Sequence, residues 1–232
     1  MSAIQTSPAL WGIGTYADDR GRRVAWRISH DEIGRDIGVA VDVLADLDLA
    51  GKRVLWCSML SEAGQFWPYV CGTVMVGSRL SCADSTYGEA MRVSMFLRLM
   101  DYDAVFGVTE ALLDGIDASG HSWADVFAGV RLLGAYPGAY QRLVAAGLAP
   151  LHFVLCGPAI AIGREPDGPA FVPGAEWELA AGDDHLVITS LRSRAQPFIR
   201  TPIAVRGTIV SGGVVPAAPL PNPAVPNRAE EE

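Results

Sequence analysis

The chain has 232 residues, 50% of them hydrophobic, and a formal net charge of −8 at pH 7. This length suffices for one large domain with a buried core. The acidic balance argues against a broad nucleic-acid-binding surface, and no apolar run reaches the roughly 18 residues that a membrane span needs.

Cysteine and lysine usage narrows the class of protein further. The four cysteines form no C-x-x-C pair, which favours reduced thiols over a disulfide framework or a structural zinc site. The N-terminus lacks a basic region followed by an apolar block, so no secretion signal is predicted and a cytoplasmic location is expected. Among the 18 basic residues the only lysine is Lys52.

The chain begins with clusters of Gly, Asp and Arg, and residues 1–23 are predicted to be irregular. The first helix is expected to begin at Ser29, because Ser29 and Glu32 form a Ser-x-x-Glu capping box. Apolar residues follow on one helical face, and Gly51 is the expected stop.

Apolar segments of strand length then alternate with helices. Strands are predicted at 53–58, 79–83, 104–108 and 152–156, and helices at 61–76 and 89–100, from about Ser122 and from about Pro137. Buried-type strands separated by helices indicate a parallel sheet with right-handed crossover helices. The fold class is therefore α/β over this part of the chain.

The pattern changes after Gly157 to short strand candidates between turn residues. They lie at 159–162, 170–172, 176–179, 185–190, 197–200 and 205–210. This spacing predicts a small, mostly antiparallel β subdomain. The expected organisation is an α/β domain over residues 1–157, the small β subdomain over 158–212, and a proline-rich C-terminal arm over 213–232.

Two segments resemble a known family. The first, from Trp26 to Ile116, contains GKRVLWCSMLSEAGQFWPYVCGTVMVGSRL and ADSTYGEAMRVSMFLR. The second, from Gly129 to Thr208, contains VRLLGAYPGAYQRLVAAGLAPLHFVLCG, then PGAEWEL and HLVITSLRSRAQPFIR. Their order and spacing resemble the N-terminal part of the adenylate-forming superfamily, the acyl-CoA synthetases and their relatives. The last motif is most similar to that of phenylacetate-CoA-ligase-type members.

The resemblance also implies parts that this sequence does not show. A Ser/Thr/Gly-rich phosphate loop with a lysine should lie between the two segments, yet residues 117–128 (DASGHSWADVFA) contain no glycine cluster. Such a loop needs several backbone amides turned toward the phosphates. After Arg200 the family continues to an acid that holds the ribose hydroxyls, whereas this chain has TPIAVRG. The mobile C-terminal domain, with its acyl-activating lysine, is also expected to be missing.

These departures predict a non-catalytic binding or assembly protein with no catalytic residue, cofactor or metal. The alternative is an adenylating or CoA-ligating subunit that another polypeptide completes, or an enzyme that acts on a CoA ester without ATP. The candidate partners are an acyl, CoA-ester or carboxylate ligand and another protein. Because the composition is apolar for this length, a homo-oligomer, most simply a dimer, is expected, with the arm from Pro216 to Pro226 docked on protein.

The segment 106–110 (FGVTE) is close to the signature with which adenylate-forming enzymes hold adenine and magnesium. In that family the signature lies beyond the phosphate loop, whereas here it lies before the place of the loop. Thr109 also precedes an apolar helix, which favours an N-cap. The cap is the preferred interpretation and the nucleotide motif is the alternative.

Ligands of parallel α/β sheets bind outside the carboxyl ends of the strands. The candidate ligand-binding residues at these ends are Ser58, Asp84, Thr109 and Glu110. Helix capping is the alternative role of Ser58, Asp84 and Thr109. A second group consists of Arg192, Arg194 and Arg200, whose guanidinium groups suit a phosphate or carboxylate, with a solvated turn as the open alternative.

Overall fold

The first described part of the chain is a β-hairpin. The computed structural model describes residues 9–217, and its first strands are β1 (Leu10–Ala17) and β2 (Arg23–Ser29), paired antiparallel. The prediction of an irregular start is wrong here. The Asp18 carboxylate accepts hydrogen bonds from the amides of Arg20 and Arg22 and so fixes the turn. The hairpin also buries aromatic side chains, which outweighs its Gly- and Arg-rich composition.

The first helix, α1 (His30–Asp46), begins where the sequence predicts it. The Glu32 amide donates to Ser29 Oγ at 3.3 Å, and the Ser29 amide donates to Glu32 Oε2 at 2.6 Å. This reciprocal pair confirms the capping box and satisfies two amides that the helix itself leaves without partners.

A parallel sheet follows, as predicted. Its strands are β3 (Arg53–Cys57), β4 (Arg79–Ala83), β5 (Ala104–Val108), β6 (Leu132–Ala135) and β7 (Leu151–Cys156). They lie in the order β7-β6-β5-β3-β4, which makes β4 an edge strand. The connecting helices are α2 (Ala63–Met75), α3 (Ala90–Leu99), α4 (Glu110–Ala118), α5 (Trp123–Val126) and α6 (Pro137–Ala145).

Antiparallel strands extend the same sheet on the other side of β7. They are β8 (Ala159–Gly163) and β9 (Ala170–Phe171). A separate three-stranded antiparallel sheet contains β10 (Trp177–Ala181), β11 (Leu186–Ser190) and β12 (Thr201–Pro202). The chain then returns to the large sheet with β13 (Gly207–Val210) and β14 (Gly213–Pro216).

The predicted fold class is confirmed: a mostly parallel sheet with crossover helices, followed by mostly antiparallel strands. The predicted strand at 197–200 is wrong, because this segment bends to bury Phe198 and holds Arg200 at a φ of 46°. The division into domains at residue 157 stays a prediction, although strands on both sides of it share the large sheet. The predicted arm forms β14 at its start, and residues 218–232 lie outside the described residues.

Successive side chains of β3 point to opposite faces of the sheet, and a separate hydrophobic cluster lies on each face. Val54 and Trp56 pack with α1 and α2, whereas Leu55 and Cys57 pack with α3, α4 and α6. A third cluster joins the hairpin to the small sheet. None of the helices within residues 9–217 is long and apolar enough to cross a membrane.

Candidate functional site

A cleft of about 760 Å³ opens at the carboxyl end of the parallel strands. This is the edge at which ligands of open α/β sheets bind. The hairpin, the turn before α2, the starts of α4 and α6, and the segment before β13 form its walls. Its chemically distinctive wall residues include Arg20, Arg23, Glu62, Gln65, Glu110 and Arg206.

Glu62 is a buried carboxylic acid on the cleft wall. It lies in a single helical turn (Leu60–Glu62) between β3 and α2. Its Oε2 accepts hydrogen bonds from Tyr136 Oη at 3.1 Å and from the Met59 amide at 3.3 Å. Burial raises the pKa of Glu62 above its usual range, against the opposing effect of these bonds and of the Arg23 charge.

Tyr136 follows β6 and precedes Pro137, the first residue of α6. Burial, followed by the charge of Glu62 and the hydrogen bond to it, raises the pKa of the Tyr136 hydroxyl well above its usual value. The phenol therefore remains a donor across the physiological pH range. The cleft wall therefore presents a carboxyl group that ionises less readily than an exposed one, hydrogen-bonded to a phenol.

Three arginines give the cleft a cationic side. Arg20 and Arg23 belong to the hairpin and Arg206 precedes β13. All three are exposed, and in the part of the chain that the structure describes none of them lies within 4 Å of a carboxylate. Arg206 Nε donates to His185 Nε2 at 3.2 Å. The guanidinium groups are thus available to an anionic ligand.

Thr109 and Glu110 lie at the carboxyl end of β5. Thr109 Oγ1 accepts from the Leu112 amide at 3.1 Å and donates to the Ser85 carbonyl at 2.8 Å, which confirms the N-cap. Glu110 is exposed on the cleft wall, and its carboxylate lies directly against Gly138 at the start of α6. A side chain at Gly138 would overlap that carboxylate, so a glycine is needed there.

Ser58 and Asp84 follow β3 and β4, further along the same edge of the sheet. The Ser58 amide donates to the Ala83 carbonyl at 3.1 Å, and Asp84 is exposed. Neither residue lines the cleft. Of the four candidates at the strand ends, the structure therefore places only Glu110 on the cleft wall.

Arg194 lies among carboxylates of this chain and away from the cleft. Its side chain is 3% exposed, pairs with both oxygens of Asp36 at 2.7 and 2.9 Å, and donates to Glu176 at 2.8 Å. Burial lowers its pKa, but the hydrogen bonds and charges of these acids outweigh burial and raise it. The guanidinium also lies over the ring of Trp177. Arg194 thus joins α1 to the small sheet.

Arg192 and Arg200 are exposed, and neither lines the cleft. Arg200 donates weakly to the Ala181 carbonyl at 3.5 Å, and its amide donates to Thr189 Oγ1 at 3.1 Å. The three arginines that the sequence groups together therefore do not form a common anion site with the cleft residues.

Most residues of the cleft carry no signal in the local sequence. Arg20 and Arg23 belong to a hairpin that the Gly- and Arg-rich composition does not predict. Arg206 lines the same cleft but lies more than 180 residues later in the sequence. Gln65 is 3% exposed; its Nε2 donates to the carbonyls of Thr15 and Gly157, while Oε1 has no partner in residues 9–217. A signal for Glu62 was present, since it follows a buried parallel strand by a few residues.

No group of three or more His, Cys, Asp or Glu side chains suited to a metal ion occurs in the described range. The four cysteines are unpaired there, and burial raises the pKa of Cys57 and Cys156 to about 12, the former also through Cys82. Such thiols are poor nucleophiles at neutral pH.

No family model and no curated protein matches the chain. Solved structures do. A 2-hydroxyisobutyryl-CoA ligase in complex with 2-HIB-AMP and CoA matches with a TM-score of 0.62 and 15% identity, over 90% of this chain and 51% of that one. The N-terminal subdomain of Klebsiella oxytoca NpsA, in complex with 3-hydroxyanthranilyl-AMSN, matches with a TM-score of 0.60 and 12% identity.

The NpsA match covers 94% of this chain and 64% of the subdomain. The chain therefore spans about half the length of the 2-hydroxyisobutyryl-CoA ligase and under two thirds of the NpsA subdomain. At these identities the similarity is one of fold. The chain has the fold of the adenylate-forming acyl-CoA ligase domains, which confirms the fold that the sequence resemblance implies.

Proposed function

We propose that this chain is a non-catalytic binding protein with an acyl-CoA synthetase-like fold, and that its cleft holds an acyl compound bearing a carboxylate or phosphate group. The observation that supports this best is the cleft itself. It has ligand size, lies at the binding edge of the sheet, and presents Arg20, Arg23 and Arg206 without ion-pair partners in residues 9–217. Arginine binds carboxylates and phosphates in a bidentate manner.

An internal segment, residues 117–128, supports the proposal that the chain does not activate acids with ATP. Between β5 and β6 the chain forms α4, a turn at Gly120 and α5, with Ser122 capping α5. A single glycine in 117–128 offers few amides to a triphosphate, whereas phosphate loops use several. Helix α4 begins at Glu110, so Thr109, the threonine of the FGVTE segment, is the N-cap of this helix.

The rival function is a ligase component or an enzyme acting on a CoA ester. The specific observation in its favour is the pair of Glu62 and Tyr136, because a carboxyl group with a raised pKa on a cleft wall suits general acid–base chemistry. Fold alone does not decide between the two, since one fold hosts many functions.

Calorimetric titration of the purified chain separates the two functions. A CoA ester or a simple acyl carboxylate should bind, whereas ATP or AMP with magnesium should give no saturable heat. Saturable binding of either nucleotide with magnesium would favour the ligase component.

The cleft arginines provide a matched pair of variants. Arg206→Ala removes a cleft guanidinium that makes no ion pair in residues 9–217. The affinity for the carboxylate or CoA ester should therefore fall about tenfold, the value of one charge-assisted contact. Arg192→Ala removes an equally exposed arginine outside the cleft and should leave the affinity unchanged. Equal effects of both changes would place the ligand elsewhere.

A further inference from the structure

Strand β4 ends the large sheet on one side. It pairs only with β3, so its outer backbone amides and carbonyls have no partner strand among residues 9–217. Helix α2 packs on one face of this edge and α3 on the other. An open strand edge is a template for pairing with another strand.

Both helices beside this edge expose apolar side chains. Six of them are 44% to 74% exposed: Trp67, Val74 and Met75 on α2, and Met91, Met95 and Leu99 on α3. The α3 residues recur every fourth position and therefore form one stripe along the helix. We call these six side chains, together with β4, the β4 flank. Exposed apolar side chains on both helices beside an open strand edge favour a protein interface.

We propose that the β4 flank is an interface between two copies of this chain, in which β4 pairs antiparallel with β4 of the second copy about a two-fold axis. Such an axis, perpendicular to the sheet, keeps each face on its own side. Helix α2 therefore meets α2 of the second copy, and α3 meets α3. The two sheets become one continuous sheet, and the exposed apolar side chains of both helices are covered.

The charges at the ends of β4 favour this arrangement. Arg79 begins the strand and Asp84 directly follows it. Both are exposed, and neither makes an ion pair in the described part of the chain. Antiparallel pairing brings Arg79 of each copy to the Asp84 end of the other, twice by symmetry. A parallel arrangement would instead bring the two Arg79 side chains together.

Charge exchange tests the interface. Light scattering should give twice the 24.6 kDa chain mass. Arg79→Asp and Asp84→Arg should each weaken dimerisation at least tenfold, and the double exchange Arg79→Asp/Asp84→Arg should restore it. Met95→Glu should also give a monomer, whereas Ile199→Glu, at an even more exposed apolar position on the small-sheet side, should stay a dimer. A monomeric wild-type chain at micromolar concentration, or a double exchange that stays monomeric, would overturn the proposal.

The cysteines give a second readout. Cys82 is exposed near the centre of β4, and antiparallel pairing puts its Cα about 5 to 9 Å from that of Cys82 in the second copy. In a Cys71→Ser background, a short thiol–thiol cross-linker should join two chains at low protein concentration. Adding Cys82→Ser should abolish this product. Cross-linking that persists without Cys82 would show that another surface forms the contact.

Discussion

At the residue scale, Thr109 shows how a motif-like segment serves the fold. Its hydroxyl caps α4 through the Leu112 amide and also donates to the Ser85 carbonyl, which ties the helix start to the loop after β4. Both bonds depend on the position of a single oxygen atom. The cap was predictable from a threonine directly before an apolar helix, whereas the bond to Ser85 depends on tertiary contact.

Thr109→Ala should lower the free energy of unfolding by about 1 kcal/mol, because it leaves the Leu112 amide at the helix start without its acceptor. Thr109→Ser keeps the hydroxyl and should retain most of the stability. Glu110→Gln should cost little, since Glu110 is exposed and contributes only through its charge near the helix start. Urea denaturation of the three variants measures these differences, and a loss on Glu110→Gln as large as that on Thr109→Ala would refute the assignment.

The buried Glu62 predicts a pH dependence of stability. Its pKa in the folded chain is raised by burial, so above its ordinary pKa the unfolded chain releases this proton before the folded chain does. The stabilisation that this group contributes is fully present at pH values below that ordinary pKa. It is lost as the pH rises through the pKa of the folded chain. The wild-type chain should therefore lose stability relative to Glu62→Gln as the pH rises above about 4.

Denaturation at a series of pH values measures this difference directly. Glu178→Gln is the matched control, because it removes an exposed carboxyl group that lies outside the cleft and outside the β4 flank. A wild-type chain that gains stability relative to Glu62→Gln as pH rises would show that the folded state favours the ionised carboxylate.

At the element scale, Arg194 joins two elements that are far apart in sequence. Its guanidinium connects Asp36 of α1 with Glu176, directly before β10, and stacks on Trp177. The sequence offered Arg194 as an anion-binding residue, and the chemistry was apt. The anions it binds in this structure are carboxylates of the chain itself.

Arg194→Met should lower the free energy of unfolding by about 3 to 5 kcal/mol, because it removes the guanidinium that pairs with the largely buried carboxylates of Asp36 and Glu176. Arg192→Met, two residues away and exposed, should change it by less than about 0.5 kcal/mol. Thermal and urea unfolding compare the two variants. Similar small effects from both would mean that the carboxylates find water or other partners.

The elements that the sequence predicts well are those with strong local signals. Strands β4 and β5 have the predicted bounds, because short buried apolar runs lie between helices. The hairpin of β1 and β2 was not predicted. It depends on packing of the Trp26 ring against Gly14, which has no side chain, and the composition of the segment does not reveal this contact. The short β12 depends on pairing with β11, and no local pattern marks it.

At the scale of the whole molecule, the cleft is formed by chain segments that only the complete fold brings together. The hairpin at one end, the starts of α4 and α6 in the middle, and the segment before β13 near the other end contribute one wall each. The carboxyl edge of a parallel sheet was predictable as the place for a ligand site, and Glu110, one of the candidates at that edge, lies on the cleft wall. The cationic wall was not predictable, because it depends on contacts between distant segments.

The proposed function requires that the cleft binds an acyl ligand and that the chain does not activate it with ATP. The most direct test is pyrophosphate release by the purified chain with ATP, magnesium and CoA, across a panel of fatty, aromatic and steroid-type acids. We expect release at the background rate for every acid, because residues 117–128, between β5 and β6, contain no glycine cluster. Acid-dependent release well above background, lost on Glu110→Gln with unchanged thermal stability, would contradict it.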